Sequence, residues 1–349
     1  MNAITFLDVE ELKYEETTDP ELVDAGDAII AVEAAGVCGS DLHPYHGRER
    51  GLDRGTIMGH EFGGRVAAVG SGVRRFEVGD HVVSPFSTSC GECWACTSGL
   101  TSRCIHGQLF GWVQDGQGLQ GGQAEYVRVP LADTTLVTIP DELPDPTVAL
   151  LAGDVLSTAI FGAELARVKD DDCVAIVGCG AVGLLAIRAA LARGARKVFA
   201  LDLVPSRLEL AAEFGARPLS VDQPDLVSEI LDATDGRGAD SVIEAVGSPA
   251  ATETAAQILR PGGTLAAVGV HTEPHLAISP GSIYDRNLTY SAGRCPARRI
   301  MPEALKLAAQ ESDLVGRVIS QRLPLAEGVE AYARLAAREE GWVKVVLEA

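Results

Sequence analysis

Residues 174–183 constrain the fold of this chain more than any other segment. The apolar run Val174-Ala175-Ile176-Val177 leads directly into Gly178-Cys179-Gly180-Ala181-Val182-Gly183, and the apolar spacing of a helix follows at once. Glycines in this pattern, between a strand and a helix, let the backbone turn tightly and approach a pyrophosphate, which the helix N-terminus stabilises. We therefore predict a dinucleotide-binding turn whose candidate residues are Gly178, Gly180, Ala181, Val182 and Gly183. The alternative is a glycine-rich turn that binds nothing.

After residue 172 the chain alternates apolar runs with helical patterns. The apolar runs are 173–178, 197–202, 240–246 and 263–270, and the helical stretches include 181–193, 205–214 and 252–259. This alternation is typical of βαβ units in a doubly wound parallel sheet. A chain of 349 residues also exceeds what a single core usually organises, so two domains are expected.

The first 150 residues have a different rhythm. Short β-type runs at 27–32, 64–69 and 80–84 are separated by glycine-containing turns, which indicates a barrel-like or folded antiparallel domain. The end of the chain shows helical patterns at 302–310 and 325–337 and a strand pattern at 342–347. We expect this last segment to return to the first domain.

Asp202 closes the apolar run that follows the glycine motif. Its carboxylate would accept hydrogen bonds from the adenosine ribose diol and would repel a 2′-phosphate, which favours NAD over NADP. Arg207 argues the other way, because an arginine near the ribose helps to hold a 2′-phosphate. NAD is therefore predicted, with NADP as the less favoured alternative.

Four of the eight cysteines crowd into one short segment with the spacing C-x2-C-x2-C-x7-C, namely Cys90, Cys93, Cys96 and Cys104. Four thiolates this close in sequence can form a tetrahedral cage around a structural zinc ion. Clustered cysteines also ligate iron–sulfur centres, but the sequence has no second cysteine cluster, so zinc is favoured. Four unligated cysteines are the remaining alternative.

The acidic balance of the chain argues against several partners. Its formal net charge is −20, whereas a surface that binds nucleic acid needs an excess of Lys and Arg, and an anionic membrane would repel it. No apolar run is long enough for a transmembrane helix, and residues 1–10 lack the basic and apolar regions of a signal peptide. We therefore expect a cytoplasmic protein whose cysteines are thiols or metal ligands and do not form disulfides.

A second group of metal-ligand types lies near the start of the chain. Cys38-Gly39-Ser40-Asp41-Leu42-His43 is followed by Gly59-His60-Glu61. A thiolate, an imidazole and a carboxylate can hold zinc with one position left open, as catalytic sites require. From the residues alone, Cys38 and His60 are only plausible ligands, because a lone Cys or His more often packs in a core.

These motifs occur in an informative order: C-x-S-D-x-H, then G-H-E, then the four-cysteine segment, then G-x-G-x-x-G. In this order they resemble the zinc-containing medium-chain alcohol dehydrogenases, over nearly the whole chain. The resemblance implies an α/β protein with a GroES-like β-rich catalytic domain at residues 1–154 and 295–349. A Rossmann domain with a doubly wound parallel sheet would bind the cofactor at residues 155–294.

Two further phrases are similar to the branch of formaldehyde-dehydrogenase-like and secondary-alcohol enzymes. They are Leu151-Ala152-Gly153-Asp154 with the segment after it, and Gly293-Arg294-Cys295-Pro296. In that branch the third ligand of the catalytic zinc is an Asp, whereas enzymes of the horse-liver type have a Cys at that place. The resemblance thus implies Cys38, His60 and Asp154 as ligands of a catalytic zinc. Glu61 would stand close by or act as an occasional fourth ligand, and Asp41 would fix the tautomer of His60.

The resemblance also implies roles for other side chains. Ser40 would take the substrate proton and pass it, through the nicotinamide ribose, toward His43, for which His46 is the substitute. Thr158 and Val182 match positions that pack on the nicotinamide, and Val268 and Val270 match the strand end that holds its carboxamide. A weaker expectation is that Lys344 is a basic residue that meets the pyrophosphate; the alternative is that it is a surface lysine. Phe86 and Trp112 could line the substrate pocket.

We therefore expect an NAD-dependent zinc alcohol dehydrogenase that interconverts a small alcohol and its aldehyde or ketone by hydride transfer. It would bind two zinc ions per subunit, exchange NAD as a cosubstrate, and form a homotetramer or homodimer. A polyol, sugar-alcohol or amino-alcohol dehydrogenase on the same scaffold is the first alternative. A non-catalytic protein that binds zinc and NAD is an alternative from another class, although all the ligand and relay groups are present.

Overall fold

The computed structural model describes residues 1–143 and 145–349. The chain divides into two compact units. Unit 1 comprises Met1–Ser157 and Pro296–Ala349, and unit 2 comprises Thr158–Cys295. The last part of the chain therefore belongs to the same unit as the first part.

The regular elements of the described residues are numbered in chain order. The strands are β1 (Asn2–Asp8), β2 (Glu11–Glu16), β3 (Ala28–Val37), β4 (Glu61–Val69), β5 (His81–Ser84), β6 (Trp112–Gln114), β7 (Gln117–Leu119), β8 (Tyr126–Val129), β9 (Val137–Thr138), β10 (Cys173–Val177), β11 (Lys197–Asp202), β12 (Arg217–Ser220), β13 (Ala239–Glu244), β14 (Leu259–Ala267), β15 (Thr289–Ala292), β16 (Ile319–Pro324) and β17 (Lys344–Glu348). The α-helices are α1 (Leu42–Tyr45), α2 (Trp94–Thr97), α3 (Ala132–Thr135), α4 (Pro146–Ala149), α5 (Val155–Leu165), α6 (Ala181–Ala192), α7 (Pro205–Glu213), α8 (Leu226–Asp232), α9 (Pro249–Ile258), α10 (Pro280–Asp285), α11 (Ala297–Gln310), α12 (Ser312–Gly316) and α13 (Gly328–Ala336). Short 3-10 helices lie at Gly39–Asp41, Thr101–Arg103, Leu150–Gly153 and Leu325–Glu327.

Unit 1 is organised by a 7-stranded sheet with the order β16-β17-β3-β4-β5-β9, in which β8 also pairs with β3. Along β3 the first residues alternate between buried and half-buried positions, and the last four are all buried. One apolar core includes Ile30, Phe62 and Val127. A second core joins the start and the end of the chain, because it includes Ile4, Tyr332 and Leu347.

Unit 2 is built on a 6-stranded parallel sheet with the order β12-β11-β10-β13-β14-β15. This order, in which the chain starts in the middle and moves out in both directions, is that of a doubly wound dinucleotide-binding fold. Every residue of the central strand β10 is buried, as expected for a strand whose two faces are both covered by helices. The predicted combination of a β-rich domain with a doubly wound parallel-sheet domain is confirmed.

Several predicted boundaries were wrong. The helix predicted at 302–310 begins earlier, at Ala297, so that Pro302 lies inside α11. Proline is favoured in the first turn of a helix, but here the extra N-terminal turn is kept because it buries Ala297, Ile300 and Met301. The helix predicted at 252–259 begins at Pro249, because Ser248 caps it by accepting a hydrogen bond from the Ala251 N–H.

Within the described part of the chain, no single helix is long and apolar enough to cross a membrane. Two helical segments joined by a bend, Pro146–Gly153 and Val155–Leu165, reach that length and apolar composition only when they are taken together.

Candidate active site and metal centres

Three segments of unit 1 bring four metal-ligand types together. Cys38 directly follows β3, His60 directly precedes β4, and Asp154 follows a short 3-10 helix. Because β3 and β4 pair antiparallel with Gly36 opposite Glu61, Cys38 and His60 emerge side by side. One ligand atom from each of Cys38, His60, Glu61 and Asp154 lies within 4.8 Å of all the others.

The donor atoms of this cluster point toward one another. Asp154 Oδ2 lies 3.3 Å from Cys38 Sγ and 3.3 Å from His60 Nε2. Behind them, Asp41 Oδ1 lies 2.9 Å from His60 Nδ1, and Asp41 Oδ2 accepts a hydrogen bond from the Cys38 N–H at 2.9 Å. In the neutral form that can bind a metal, His60 would keep its proton on Nδ1, facing Asp41, and would present the lone pair of Nε2 to the cluster.

The electrostatics of the cluster fit a bound cation. Burial, together with the charges of Asp154 and Glu61, raises the pKa of Cys38 to about 11. Burial lowers the pKa of His60, but the charge of Asp41 and the hydrogen bond to Asp154 outweigh it and raise this pKa well above its ordinary value. A pocket that opposes thiolate formation and favours the imidazolium has an excess of negative charge, which a divalent cation would neutralise.

Lys344 is not the surface lysine that we considered as an alternative. It is 2% exposed, and its Nζ contacts the carboxylate of Glu61, which is 0% exposed, and donates to the carbonyl oxygen of Val37 at 3.2 Å. Burial lowers the pKa of Lys344, but the charge of Glu61 more than compensates and raises it. The basic side chain thus belongs to the surroundings of the ligand cluster in unit 1.

The relay candidates lie around the same cluster. Ser40 Oγ lies 3.3 Å from His60 Nε2, and His43 is half-buried in α1. His46, the substitute for His43, places its Nδ1 3.3 Å from Glu10. Phe86 is buried, and its ring meets the His60 ring edge-on with centroids 6.4 Å apart, whereas Trp112 lies half-buried in the short β6–β7 hairpin.

The four-cysteine segment closes into a compact lobe. The Sγ atoms of Cys90 and Cys96 are 4.0 Å apart, and those of Cys93 and Cys104 are 3.9 Å apart. These separations are close to the ~3.8 Å edge of a tetrahedron with Zn–S bonds of about 2.3 Å, and they are far longer than a disulfide bond. Hydrogen bonds from the N–H groups of Cys96 and Ile105 lower the pKa of Cys93 to about 6, which favours a thiolate at this position, whereas burial raises the pKa of Cys96 to about 12 and also raises that of Cys104.

The glycine motif of unit 2 has the geometry of a dinucleotide-binding turn. Gly178 follows β10 with a φ of +95°, a backbone conformation that residues other than glycine rarely adopt. Gly180 is the N-cap of α6, so the free N–H groups of the first helical turn begin at Ala181 and Val182. A side chain at Gly183 would collide with the carbonyl oxygen of Gly178, so this glycine allows the helix to pack closely against the strand.

Asp202 ends β11 beside this turn and is 9% exposed. Its Oδ2 accepts a hydrogen bond from the Cys179 N–H at 2.7 Å, and its Oδ1 accepts from the N–H groups of Leu203 and Val204. The carboxylate is thus fixed at the glycine turn. Burial and the charge of Asp202 raise the pKa of the Cys179 thiol, and the charge of Arg207, nearby in α7, opposes this rise.

The remaining cofactor candidates also belong to unit 2. Thr158 is half-buried in α5. Val268 and Val270 follow the carboxyl end of β14, where Val268 is half-buried and Val270 is 43% exposed. The carboxyl edge of a parallel sheet is where doubly wound folds bind their ligands.

Sequence analysis missed one buried polar group near these sites, Glu244. It named Lys344 only as a residue expected at the pyrophosphate. Glu244 is 0% exposed at the end of β13, where it accepts hydrogen bonds from the Val246 and Gly247 N–H groups and lies 3.0 Å from His271 Nε2. Position at a strand end was the only indication in the sequence that could have found it.

Comparison with known proteins agrees with this geometry. The family models "Alcohol dehydrogenase GroES-like domain" and "Zinc-binding dehydrogenase" match residues 24–141 and 181–310. "Zinc-type alcohol dehydrogenase B" of Aspergillus flavus is 39% identical over 340 residues, which cover 95% of this chain and 78% of that protein. "Uncharacterized zinc-type alcohol dehydrogenase-like protein AdhB" of Bacillus subtilis is 33% identical over 379 residues, covering 100% of each chain. The structure of alcohol dehydrogenase TADH from Thermus sp. ATN1 superposes with a TM-score of 0.94 at 38% identity, covering 100% of this chain and 99% of that one.

Replacing Cys93 by Ser tests the four-cysteine lobe. Loss of one thiolate should remove about one zinc ion per chain and lower the Tm by about 2–4 °C for each kcal/mol of stability lost, because a structural zinc contributes to folding free energy. Elemental analysis measures the zinc content, and thermal denaturation measures the Tm. The control is Ser98→Ala, which changes an exposed residue of the same lobe. A Cys93→Ser protein that is fully stable yet inactive would contradict a structural role.

Proposed function

The chain belongs to the family of zinc-dependent medium-chain alcohol dehydrogenases and is an alcohol oxidoreductase; on that premise we propose that Cys38, His60 and Asp154 hold its catalytic zinc. Under this proposal it interconverts a small alcohol and its aldehyde or ketone by hydride transfer with NAD. The observation that carries the proposal is the convergence of a thiol, an imidazole and two carboxylates within 4.8 Å. The imidazole in this cluster is oriented from behind by Asp41.

We further propose that residues 1–154 and 295–349 form the catalytic domain and residues 155–294 form the NAD-binding domain. The two compact units, with their division at Ser157 and Pro296, support these boundaries. A second zinc ion, with a structural role, is assigned to Cys90, Cys93, Cys96 and Cys104. A homotetramer or homodimer in the cytoplasm remains our expectation for the assembly.

The side chains of the site divide the proposed chemistry among them. A zinc ion held by Cys38, His60 and Asp154 would supply Lewis acidity toward the substrate oxygen, and the nicotinamide cofactor would supply the hydride chemistry. Ser40 Oγ, at 3.3 Å from the His60 ring, would take the proton of the substrate hydroxyl as it releases its own toward the cofactor side, and His43 is the group that would deliver a proton to solvent. Phe86, which is buried and meets the His60 ring edge-on, supplies apolar surface beside this ligand.

For the cofactor we propose NAD, with the ribose diol held by Asp202. The carboxylate is fixed by three backbone N–H groups at the glycine turn, and its negative charge opposes a 2′-phosphate. Arg207 in the following helix is the residue that would moderate this preference.

The first experiment is metal content per chain, measured together with NAD reduction on a panel of primary, secondary and polyol alcohols. Two zinc ions with turnover would support the proposal, and the ratios of kcat/KM would separate a simple alcohol dehydrogenase from a polyol or amino-alcohol enzyme. One zinc ion and no turnover would mean that only the four-cysteine site is filled.

Cys38→Ser should abolish turnover, because one ligand of the catalytic zinc is lost. We expect zinc content to fall by about one ion per chain while NAD still binds, as followed by elemental analysis, steady-state kinetics and cofactor fluorescence titration. Cys173→Ala is the matched control, because it removes a buried thiol from unit 2. Undiminished kcat in Cys38→Ser would refute the assignment of this site.

Asp202→Ala should weaken NAD far more than NADP. Hydrogen bonds to a charged group contribute about 1.5–3 kcal/mol, so KM for NAD should rise by roughly 10–100-fold. The substitution also removes the hydrogen bonds that hold the glycine turn, but this loss should affect NAD and NADP alike. The measured quantity is the ratio of kcat/KM for the two cofactors, compared with that of Glu209→Ala, which removes an exposed carboxylate from α7. An unchanged ratio would remove Asp202 from the ribose site.

A further inference from the structure

Two fully buried polar side chains lie behind the ligand cluster of unit 1. Gln123 precedes β8 and Tyr332 lies in α13, and both are 0% exposed. The Tyr332 hydroxyl donates a hydrogen bond to Gln123 Oε1 at 2.9 Å, and Gln123 Nε2 donates to the carbonyl oxygen of Gly36 at 3.0 Å. Burying such groups is costly unless they are paired, and here each of these polar atoms has a partner.

Gln123 contacts both strand ends that carry the ligands. Through Gly36 it holds β3 just before Cys38. On its other side its Cγ packs directly against Gly59, where a side chain would collide with it, and Gly59 immediately precedes His60. The main chain repeats the link, because the Gln123 N–H donates to the carbonyl oxygen of Met58 at 2.9 Å.

Tyr332 is also influenced by the charge of Asp41, the carboxylate that contacts His60. Burial and the nearby charge of Asp41 raise the pKa of Tyr332 well above its ordinary value, so the hydroxyl stays protonated beside that carboxylate. Asp41 in turn contacts His60 Nδ1 and the Cys38 N–H, each at 2.9 Å. The Tyr332 ring packs on Tyr45, with centroids 5.7 Å apart, which fixes the position of the hydroxyl.

We propose that Gln123 and Tyr332 are positioning residues for the catalytic zinc, acting as one hydrogen-bonded unit that sets the spacing between Cys38 and His60. The inference rests on the proposed function, because it presumes that these two residues are zinc ligands. Neither side chain is expected to touch the metal, the cofactor or the substrate. Their effect is therefore expected in the affinity of the site for zinc, as for other groups that orient metal ligands.

Tyr332→Phe tests the proposal, because it removes the hydroxyl and keeps the ring. We expect the dissociation constant of the catalytic zinc to rise about tenfold, measured on the full-length protein by competition with a chromophoric chelator. The four-cysteine zinc of the same molecule is the internal reference and should keep its affinity. Tyr45→Phe, which removes a hydroxyl from the neighbouring ring, is the matched control and should leave both affinities unchanged.

A double-mutant cycle shows whether the two residues act together. Gln123→Met keeps the size of the side chain and removes both of its hydrogen bonds. If the pair acts as a unit, the double variant should bind zinc no more weakly than Gln123→Met alone. If the increase in the zinc dissociation constant of the double variant instead equals the product of the two single increases, the proposal is overturned. If Gln123→Met does not fold, the zinc affinity of Tyr332→Phe decides.

The outcomes also separate this inference from the function on which it rests. A wild-type protein with two zinc ions, whose catalytic zinc affinity is unchanged in Tyr332→Phe, overturns the positioning role and leaves the proposed function intact. Equal weakening of both zinc sites would mean a general loss of stability and would also overturn it. A wild-type protein that holds only the four-cysteine zinc overturns the proposed function and this inference together.

Discussion

The antiparallel pairing of β3 with β4 is the constraint on which the candidate active site depends. Its register places Gly36 opposite Glu61, so that the strand leaving toward Cys38 and the strand arriving from His60 meet at one edge. Gly36 is needed there because any side chain would collide with Glu61. On the other side of β3, β17 pairs with Val37 through Val345 and thereby brings Lys344 beneath the same edge. Backbone pairing thus brings residues from opposite ends of the chain to one cluster.

Burial of so many ionisable groups is tolerated because each has a partner. An isolated buried charge costs several kcal/mol, and the cost is offset only by good geometry and further hydrogen bonds. Glu61 has Lys344, which is also bonded to Val37, and Asp41 has His60 and the Cys38 N–H. The thiol of Cys38 and the carboxylate of Asp154 face each other, and the zinc ion proposed for this site would supply the positive charge that they lack.

The sequence was most informative where function depends on neighbours in the chain. The glycine turn, the four-cysteine lobe and the helix that starts after Gly180 are local features, and their residue spacing predicted them. Lys344, Gln123 and Tyr332 could not be found in this way, because long-range strand pairing and helix packing bring them to the site. The predicted start of α11 was wrong for a related reason. Pro302 locally favours the start of a helix, but the turn that precedes it buries apolar surface and extends the helix to Ala297. Asp154 lies between these cases, since only the family resemblance distinguished it from other acids.

The two proposed metal sites differ in how many of their donor atoms are free to bind an ion, and this difference supports the different roles proposed for them. In the lobe, four thiols supply a complete tetrahedral set, and backbone N–H groups of the same segment donate to the sulfur atoms of Cys90 and Cys104, so a bound ion has no vacant position. In the other cluster the fourth donor, Glu61, is already in contact with Lys344. A metal held by Cys38, His60 and Asp154 must compete with a buried ammonium group for that carboxylate. The competition favours three protein ligands over four, and a site with three protein ligands has room for a substrate oxygen.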